Sequence, residues 1–364
     1  MMVKDSEWYE KIRVYQSRMY LTGLFNPDDI RVEDKYLAYI AGLFDGEVAL
    51  GIVRTGRSYS LHISYMKTNY DILKYLSNIF GGSVRRVKSQ PYYRFNVWQW
   101  YIGAGYAYRT LRKLYPFLRI KKEPAAICIE FFERFWQGYS HKLKPVSNKR
   151  QGIGAHYMAQ LKRHQSKPGS SKKSHLLYKK IKQQNIISIV PDYAQESDTY
   201  KSYRLPNIEL PEIELAYIAG LLDAEGSFII YKISNRPSYL LEMNYRKTDY
   251  NTLRYLSDIF GGSVKPAPFS PGNKLDVWLW KLVSARAYNL LIHIYRFLRI
   301  KRRAAEICME FFELYWQGRT TKPVSPERQA IGAKYAALLR EYHTKSMRHR
   351  RREIEAHQDP VEPN

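Results

Sequence analysis

The feature that most constrains this chain is that a long stretch of it occurs twice. Three blocks appear in the same order in both halves of the 364 residues, with nine of eleven, ten of fourteen and fifteen of twenty-two positions identical. The pairs are LAYIAGLFDGE at 37–47 with LAYIAGLLDAE at 215–225, DILKYLSNIFGGSV at 71–84 with NTLRYLSDIFGGSV at 251–264, and FLRIKKEPAAICIEFFERFWQG at 117–138 with FLRIKRRAAEICMEFFELYWQG at 297–318. The spacing is 178 residues for the first pair and 180 for the other two. A period this long that occurs twice predicts a duplicated domain rather than a solenoid.

Each copy has the pattern of an α+β domain. Apolar residues recur at helical spacing in some segments and alternate in others, and Gly81-Gly82 ends one amphipathic helix. The predicted elements of the first copy are a helix at 34–46, strands at 48–54 and 58–66, a helix at 70–80, strands at 83–89 and 93–102, and helices at 105–117 and 124–136. The order αββαββα, with a final helix, predicts a four-stranded antiparallel sheet backed by helices in each half.

The repeat also sets the expected domain boundaries. The segment between the copies is basic and polar, as in KRHQSKPGSSKKSH, and the last twenty residues are highly charged. We expect an N-terminal extension at 1–34, a first domain at 35–161, a basic linker at 162–212, a second domain at 213–343 and a charged tail at 344–364.

The charge of the chain indicates a polyanionic partner. Lys and Arg number 59 against 34 acids, which gives a net charge of +25, and such a field attracts nucleic acid. No apolar run approaches the length of a spanning helix, so we expect no membrane partner. The first twenty residues match neither a secretory nor a transit peptide. Two cysteines, Cys128 and Cys308, lie in apolar helices without a CxxC pair, which predicts core residues rather than a disulfide or a zinc site.

Small residues in the first block predict a close helix contact. They lie one turn apart on one helix face, and close approach of two helices favours such spacing. The predicted interface residues are Ala38, Ala41 and Gly42 in the first copy and Ala216, Ala219 and Gly220 in the second. We expect the two motif helices to pack against each other across a pseudo-two-fold axis.

Each motif ends in two acids, Asp45 with Glu47 and Asp223 with Glu225. Carboxylates brought together at helix C-termini repel each other and meet the negative end of the helix dipole. A divalent cation removes this conflict, and carboxylate oxygens suit Mg²⁺. Metal ions can stabilise the attacking and leaving oxygens of phosphodiester cleavage. The alternative is that the acids merely cap the helices or form salt bridges.

The two segments LAYIAGLFDGEV and LAYIAGLLDAEG resemble the signature of the LAGLIDADG homing endonucleases in their single-chain, two-motif form. The resemblance covers roughly residues 35–160 and 213–343. It implies a DNA-binding saddle of two sheets and a magnesium-dependent double-strand cut in a long, nearly palindromic site. It further implies that Glu47 and Glu225 are the catalytic metal ligands, and that Asp45 and Asp223 are structural.

The resemblance also implies roles for two lysines, and this sequence departs from the family's pattern at two places. Lys121 and Lys301, inside the shared FLRIK, match the basic residue near the scissile phosphate, where a surface lysine at a helix start is the alternative. Val48 stands where the motif expects the glycine present as Gly226. The polar residue expected near the metal-bound waters is Met66 in one half and Arg246 in the other, so the first half is the one whose activity the sequence leaves open.

Period-two alternation in one strand of each copy predicts which side chains face DNA. The outward sets are Ser60, His62, Ser64 and Met66 in the first copy and Leu240, Glu242, Asn244 and Arg246 in the second. The predicted readers are Arg246 for guanine, Asn244 for adenine and Glu242 for cytosine. The two sets differ, so we expect an asymmetric target. His62 and His141 have no second histidine at ligand spacing and are interpreted as DNA-contacting or merely polar.

Several alternatives remain at this level. The same fold serves group I intron maturases, whose partner is intron RNA, and non-catalytic DNA-binding regulators, for which we see no extra recognition module. A strand-specific nickase is a third. We expect a monomer that acts on double-stranded DNA, and location in a chloroplast or mitochondrion if eukaryotic, or otherwise in the cytoplasm.

Overall fold

The computed structural model describes residues 26–87, 97–136, 146–165, 208–267, 277–316 and 324–355. The chain divides into two compact units, Met1–Lys167 and Pro168–Asn364. Most of the predicted N-terminal extension and linker lies outside the described residues, as do His141 and the end of the predicted tail, 356–364.

The first unit has the predicted order of elements. After a short 3-10 helix at Pro27–Asp29, they are α1 (Asp34–Gly46), β1 (Ala49–Thr55), β2 (Ser58–Lys67), α2 (Tyr70–Phe80), β3 (Ser83–Arg86), β4 (Trp98–Gly103), α3 (Ala104–Leu114), α4 (Lys122–Trp136) and α5 (Asn148–Gln165). The strands form one antiparallel sheet in the order β1-β2-β4-β3. The crossing from β2 to β3 is made by α2, which packs against the sheet.

The second unit repeats this architecture. Its elements are α6 (Glu212–Glu225), β5 (Ser227–Lys232), β6 (Tyr239–Lys247), α7 (Tyr250–Phe260), β7 (Ser263–Pro266), β8 (Trp278–Val283), α8 (Ser284–Ile294), a 3-10 turn at Tyr295–Phe297, α9 (Arg302–Trp316) and α10 (Pro326–Glu355). The sheet order is β5-β6-β8-β7, again antiparallel. The extra two residues of this copy lie in the β5–β6 loop, where Asn235 has a φ of 63°, a conformation that asparagine tolerates better than most residues.

The helix that follows the second strand is bounded by signals that both copies share. The Asn69 side chain caps α2 by accepting from the Ile72 N–H at 3.2 Å. The helix stops at Gly81 and Gly82, whose φ values of 80° and 88° strain any other residue. The Trp100 indole N–H then donates to the Gly81 carbonyl at 2.9 Å. This bond anchors the end of the helix to the sheet.

Two polar helices, α5 and α10, were not predicted from the sequence. Each begins just after a shared KPVS segment. In α5, Gly154 lies against the Tyr59 ring, where an added Cβ would come within 2.2 Å of ring carbon. The Arg150 Nε donates to the Phe135 carbonyl at 2.8 Å, which ties the helix to the end of α4. The sister helix α10 continues to Glu355, beyond the predicted start of the tail at 344.

The predicted fold class is therefore confirmed, since each unit is an αββαββα domain with a four-stranded antiparallel sheet backed by helices. Among the described helices, none is both long and apolar enough to cross a bilayer.

Candidate functional site

The first acid of each motif is a buried structural anchor. Asp45 is fully buried and accepts three main-chain hydrogen bonds, from Arg119 N (2.8 Å), Ile120 N (3.1 Å) and Lys121 N (2.8 Å). These N–H groups belong to the FLRIK segment, immediately before α4 begins. Donors at a helix start are the groups that favour a carboxylate. Asp45 therefore fixes the FLRIK segment to the end of α1.

The second unit reproduces this anchor. Asp223 is fully buried and accepts from Arg299 N (2.7 Å), Ile300 N (3.0 Å) and Lys301 N (2.8 Å). The repetition of three bonds in both units indicates that the geometry belongs to the motif and not to one copy.

The lysine of FLRIK bonds to main-chain oxygens at the end of the motif helix. Lys121 Nζ donates to the carbonyls of Phe44 (2.5 Å) and Val48 (2.8 Å). Lys301 Nζ donates to the carbonyls of Leu222 (2.8 Å) and Asp223. The carbonyls of Phe44 and Leu222 also accept a main-chain N–H, and the ammonium group adds a positively charged donor at the helix C-terminus, where a cation is favourable. The structure thus gives both lysines a helix-capping contact, and their position near a scissile phosphate stays a prediction.

The second acid of each motif lies at the surface edge of the same helix end. The Glu47 and Glu225 side chains are 29% and 28% exposed, in contrast to the buried aspartates. Glu47 forms an ion pair with Lys67 through Oε2, and Glu225 forms one with Lys247 at 3.0 Å through Oε2. In each unit one acid therefore holds the fold while the other stays accessible.

Sequence reasoning did not find Lys67 and Lys247. The signal was present, because both copies place Lys-Thr at the end of the second strand while the residue before it changes from Met66 to Arg246. The structure places Met66 and Arg246 on the exposed side of the strand, and the following lysine is the one that reaches the carboxylate.

Each of these carboxylates fits a Mg²⁺ site in which the protein supplies few of the metal ligands. The described residues contain no group of three or more His, Cys, Asp or Glu side chains that could hold a metal. Magnesium retains several waters and is commonly bound by one or two carboxylates together with substrate phosphates. Glu47 and Glu225 each offer one accessible carboxylate, which matches that low number of protein ligands.

The departure at Val48 is accommodated locally. Val48 is fully buried, and its N–H donates to the Phe44 carbonyl at 3.2 Å. The Val48 carbonyl accepts a hydrogen bond from Lys121. In the second unit the equivalent lysine, Lys301, donates to the Asp223 carbonyl instead. At Gly226 a Cβ would come within 2.7 Å of the Leu222 carbonyl oxygen, so the glycine is needed there. The two units end their motif helices differently and still expose the same glutamate.

The burial along β2 follows the predicted alternation except at Ser64, which was predicted to face outward and is only 8% exposed. Tyr59, Leu61, Ile63 and Tyr65 are at most 5% exposed and face the helices. The opposite face carries a series of polar side chains that are hydrogen-bonded to one another. Gln99 Nε2 donates to Ser64 Oγ at 2.6 Å, and Arg85 donates to Gln99 Oε1 at 3.1 Å and 3.2 Å. Arg85, which was not predicted, is thereby held on the exposed side of this sheet.

The predicted contact residue His62 lies beside an aromatic ring on the same face. It stacks on Tyr101 with ring centroids 5.7 Å apart, next to Gly51, which leaves room for the imidazole. Burial lowers the pKa of His62, so the imidazole stays neutral at pH 7. Ser60, the remaining predicted contact of this strand, is half-buried.

The outward face of β6 in the second unit is organised around an acid. Glu242 is 5% exposed, and its two oxygens accept from Asn244 Nδ2 (3.1 Å) and pair with Lys281 Nζ (2.8 Å). Burial and the nearby Glu242 carboxylate raise the pKa of Tyr231, which keeps the phenol protonated. The Lys281 side chain is 40% exposed, so it is the lysine, missed in the sequence, that this cluster presents outward.

The two cysteines are buried in the helices α4 and α9, as predicted. Burial raises the pKa of Cys128 to about 12 and raises that of Cys308 further. Both thiols are therefore protonated and unreactive at neutral pH. The predicted interface residues of the motif helices are buried, and their pairing across a pseudo-two-fold axis stays a prediction.

No protein-family model matches the sequence, and no curated protein matches it significantly. Similar solved structures do exist. The LAGLIDADG meganuclease I-AabMI bound to uncleaved DNA is 15% identical, with a TM-score of 0.55 over 83% of this chain and 98% of that one. The homing endonuclease I-SmaMI bound to cleaved DNA is 15% identical, with a TM-score of 0.54 over 85% and 97%.

A second structure of I-SmaMI, bound to an uncleaved DNA target in the presence of calcium ions, is 16% identical with a TM-score of 0.52 over 84% and 98% of the two chains. At such low identity the likeness concerns the fold, and it spans both units. The resemblance drawn from the two motifs is thus confirmed in three dimensions: the chain has the fold of the LAGLIDADG homing endonucleases, in the form that carries two motifs in one polypeptide.

Proposed function

We propose that this protein is a site-specific DNA endonuclease that makes a Mg²⁺-dependent double-strand cut in a long pseudo-palindromic duplex. The observation that carries the proposal is the duplicated end of the motif helix. In each unit a buried aspartate fixes the FLRIK segment and leaves a glutamate, Glu47 or Glu225, accessible two residues later. Each glutamate serves one strand cut.

Double-stranded DNA is the partner that the charges and the sheet faces favour. The net charge of +25 attracts a polyanion. The exposed faces present donors suited to base edges and phosphates, namely Arg85 in the first unit and Lys281 in the second. The similar structures I-AabMI and I-SmaMI are bound to DNA, and one of them to cleaved DNA. One chain carries both motifs, so the active species is a monomer.

The divalent cation, when bound, supplies charge stabilisation for the phosphodiester in the way that Lewis acids do in hydrolysis. Glu47 and Glu225 are the side chains that would hold it. The surrounding residues position these carboxylates: Asp45 and Asp223 fix the helix ends, and Lys121 and Lys301 satisfy the last carbonyls. I-SmaMI in the presence of calcium ions is bound to an uncleaved target, which agrees with dependence on the kind of cation.

Cutting of both strands is favoured over nicking by the similarity of the two glutamates. Val48 does not displace the first carboxylate, since Glu47 and Glu225 have nearly equal exposure and each pairs with the equivalent lysine. A nickase needs one half to have lost its site, whereas both halves keep an accessible glutamate paired with a lysine.

The test is cleavage of a randomised duplex library by the purified chain in Mg²⁺ and in EDTA, followed by sequencing of the ends. We expect one family of related sites, cut in both strands and only with the cation. The matched control is the double variant E47Q/E225Q, which should bind the same sites and leave them intact. Preferential binding of a group I intron RNA over duplex DNA, with no cut site in the library, would overturn the proposal in favour of a maturase.

A further inference from the structure

We propose that Lys67 and Lys247 are positioning residues that neutralise the motif glutamates, so that DNA binds this protein before any divalent cation does. The inference rests on the proposed endonuclease function and concerns the charge of the same site in its cation-free state. It assigns a role to two lysines that neither motif contains.

The strand geometry explains why the lysine and not its neighbour reaches the acid. Side chains alternate along β2, so Lys67 leaves the strand on the same side as the buried Tyr65, while Met66 points outward and is 48% exposed. The Lys67 ammonium lies 5.7 Å from the centre of the Tyr65 ring, which supports its position by a cation–π contact. Its side chain is only 18% exposed where it meets Glu47.

The second unit provides an independent copy of this arrangement. Lys247 Nζ is 3.0 Å from Glu225 Oε2, with side-chain exposures of 15% and 28%. Neighbouring residues differ between the copies, since Met66 is replaced by Arg246. Because the lysine–glutamate ion pair is present in both units although a neighbouring residue differs, we assign it the same role in both.

Each lysine uses one oxygen of its partner. Both ion pairs are made through Oε2, and Oε1 of Glu47 and Glu225 takes part in neither of these two contacts. A cation can therefore share the carboxylate with the lysine. The ammonium charge lowers the affinity of the carboxylate for that cation. The ion pair also fixes the orientation of the carboxylate that would bind it.

The lysine of the FLRIK segment does not neutralise the glutamate in either unit. Lys121 and Lys301 donate to main-chain carbonyls at the helix ends. Without Lys67 and Lys247 the two glutamates would face the DNA phosphates as bare negative charges, and partly buried charges repel over several ångströms with little screening. The ion pairs remove that repulsion when no divalent cation is present.

The experiment is a double-mutant cycle on DNA affinity. Wild type, K67M, E47Q and K67M/E47Q are titrated with a labelled duplex recovered from a randomised library by binding, in EDTA and in Ca²⁺. We expect K67M to weaken binding about fivefold to tenfold in EDTA and about twofold or less in Ca²⁺. In K67M/E47Q the uncompensated charge is gone, so binding in EDTA should return to within about twofold of wild type.

The second unit and an unrelated lysine provide controls. The cycle of K247M with E225Q should give the same pattern. K74M removes an exposed lysine of α2 that is not at the site, and any loss of affinity there should be equal in EDTA and Ca²⁺. A direct phosphate contact by Lys67 would instead weaken binding equally in both media and would not be rescued by E47Q, and that result overturns the proposal.

A readout without DNA keeps the inference separate from the endonuclease proposal. Free Mn²⁺ measured by electron paramagnetic resonance should show tighter binding of Mn²⁺ to K67M and K247M than to wild type, by about fivefold, with K67R close to wild type. Unchanged Mn²⁺ affinity overturns the assignment. Failure of the wild type to cut any DNA in Mg²⁺ would refute the endonuclease proposal and leave this comparison valid.

Discussion

Replacing Asp45 by asparagine tests how strongly the motif helix depends on its buried acid. The Asp45 carboxylate is fully buried and accepts three N–H groups at 2.8–3.1 Å, from residues 119–121. Asparagine has nearly the same shape but offers one acceptor oxygen and one NH₂ group. The change therefore keeps the volume of the side chain and alters only its hydrogen bonding and charge.

The magnitude follows from the three bonds. In the better amide orientation the oxygen takes the place of Oδ2 and keeps the bonds from Arg119 and Ile120, but without charge assistance. The NH₂ group then opposes the N–H of Lys121. Hydrogen bonds to charged groups contribute roughly 1.5–3 kcal/mol against about 1 for neutral ones, and an unsatisfied buried donor costs about 1–3 kcal/mol. We expect D45N to lower the unfolding free energy of the first unit by about 3 kcal/mol.

Thermal and urea unfolding, with tryptophan fluorescence and circular dichroism as probes, measure this loss. For a unit of this size the change corresponds to a fall of roughly 6–12 °C in Tm. D223N provides the matched variant, and it should destabilise the second unit by a similar amount. If D45N unfolds within about 1 kcal/mol of wild type, the view of Asp45 as the anchor of FLRIK is refuted.

The remaining predictions concern the sheet faces and pH. K281M should change base preference in one half-site, and E242Q, which loosens Lys281 and Asn244, should relax the same positions; both are measured by selection from a randomised library. R246A should relax base preference in one half-site only, and a uniform loss of affinity would show a phosphate contact instead. Because burial lowers the pKa of His62, the unfolded chain takes up this proton first as pH falls. The first unit should therefore lose stability as pH drops from about 6.5 through the lower pKa of the folded state, and H62Q should flatten that dependence in urea titrations.

The parts of this fold that sequence reasoning predicted are those with strong local patterns. The motif helices, the Gly81-Gly82 stop and the period-two faces follow from spacing that one segment contains by itself. The structural role expected of Asp45 agrees with its three backbone bonds. Each of these patterns occurs in both copies of the repeat, and this recurrence strengthened the predictions drawn from them.

What escaped prediction depends on contacts between distant segments. Lys67 meets Glu47 only because the end of β2 lies beside the end of α1, and no spacing rule relates the two positions. The ion pair of Glu242 with Lys281 is diagonal, because Glu242 lies opposite Val283 in the β6–β8 pairing and Lys281 lies opposite Asn244. The role predicted for Glu242 in reading cytosine stays a prediction. The helices α5 and α10 are polar with weak periodicity, and their stability comes from packing on the neighbouring helix and strand.

The chemistry assigned to the glutamates is tested most directly by strand-resolved cleavage. A duplex selected by the wild type is labelled on each strand in turn and incubated with wild type, E47Q and E225Q in Mg²⁺. We predict that the wild type cuts both strands, whereas each single variant binds the duplex with near wild-type affinity and makes no double-strand cut. Full double-strand cleavage by either variant would contradict the assignment of Glu47 and Glu225 as the two catalytic carboxylates.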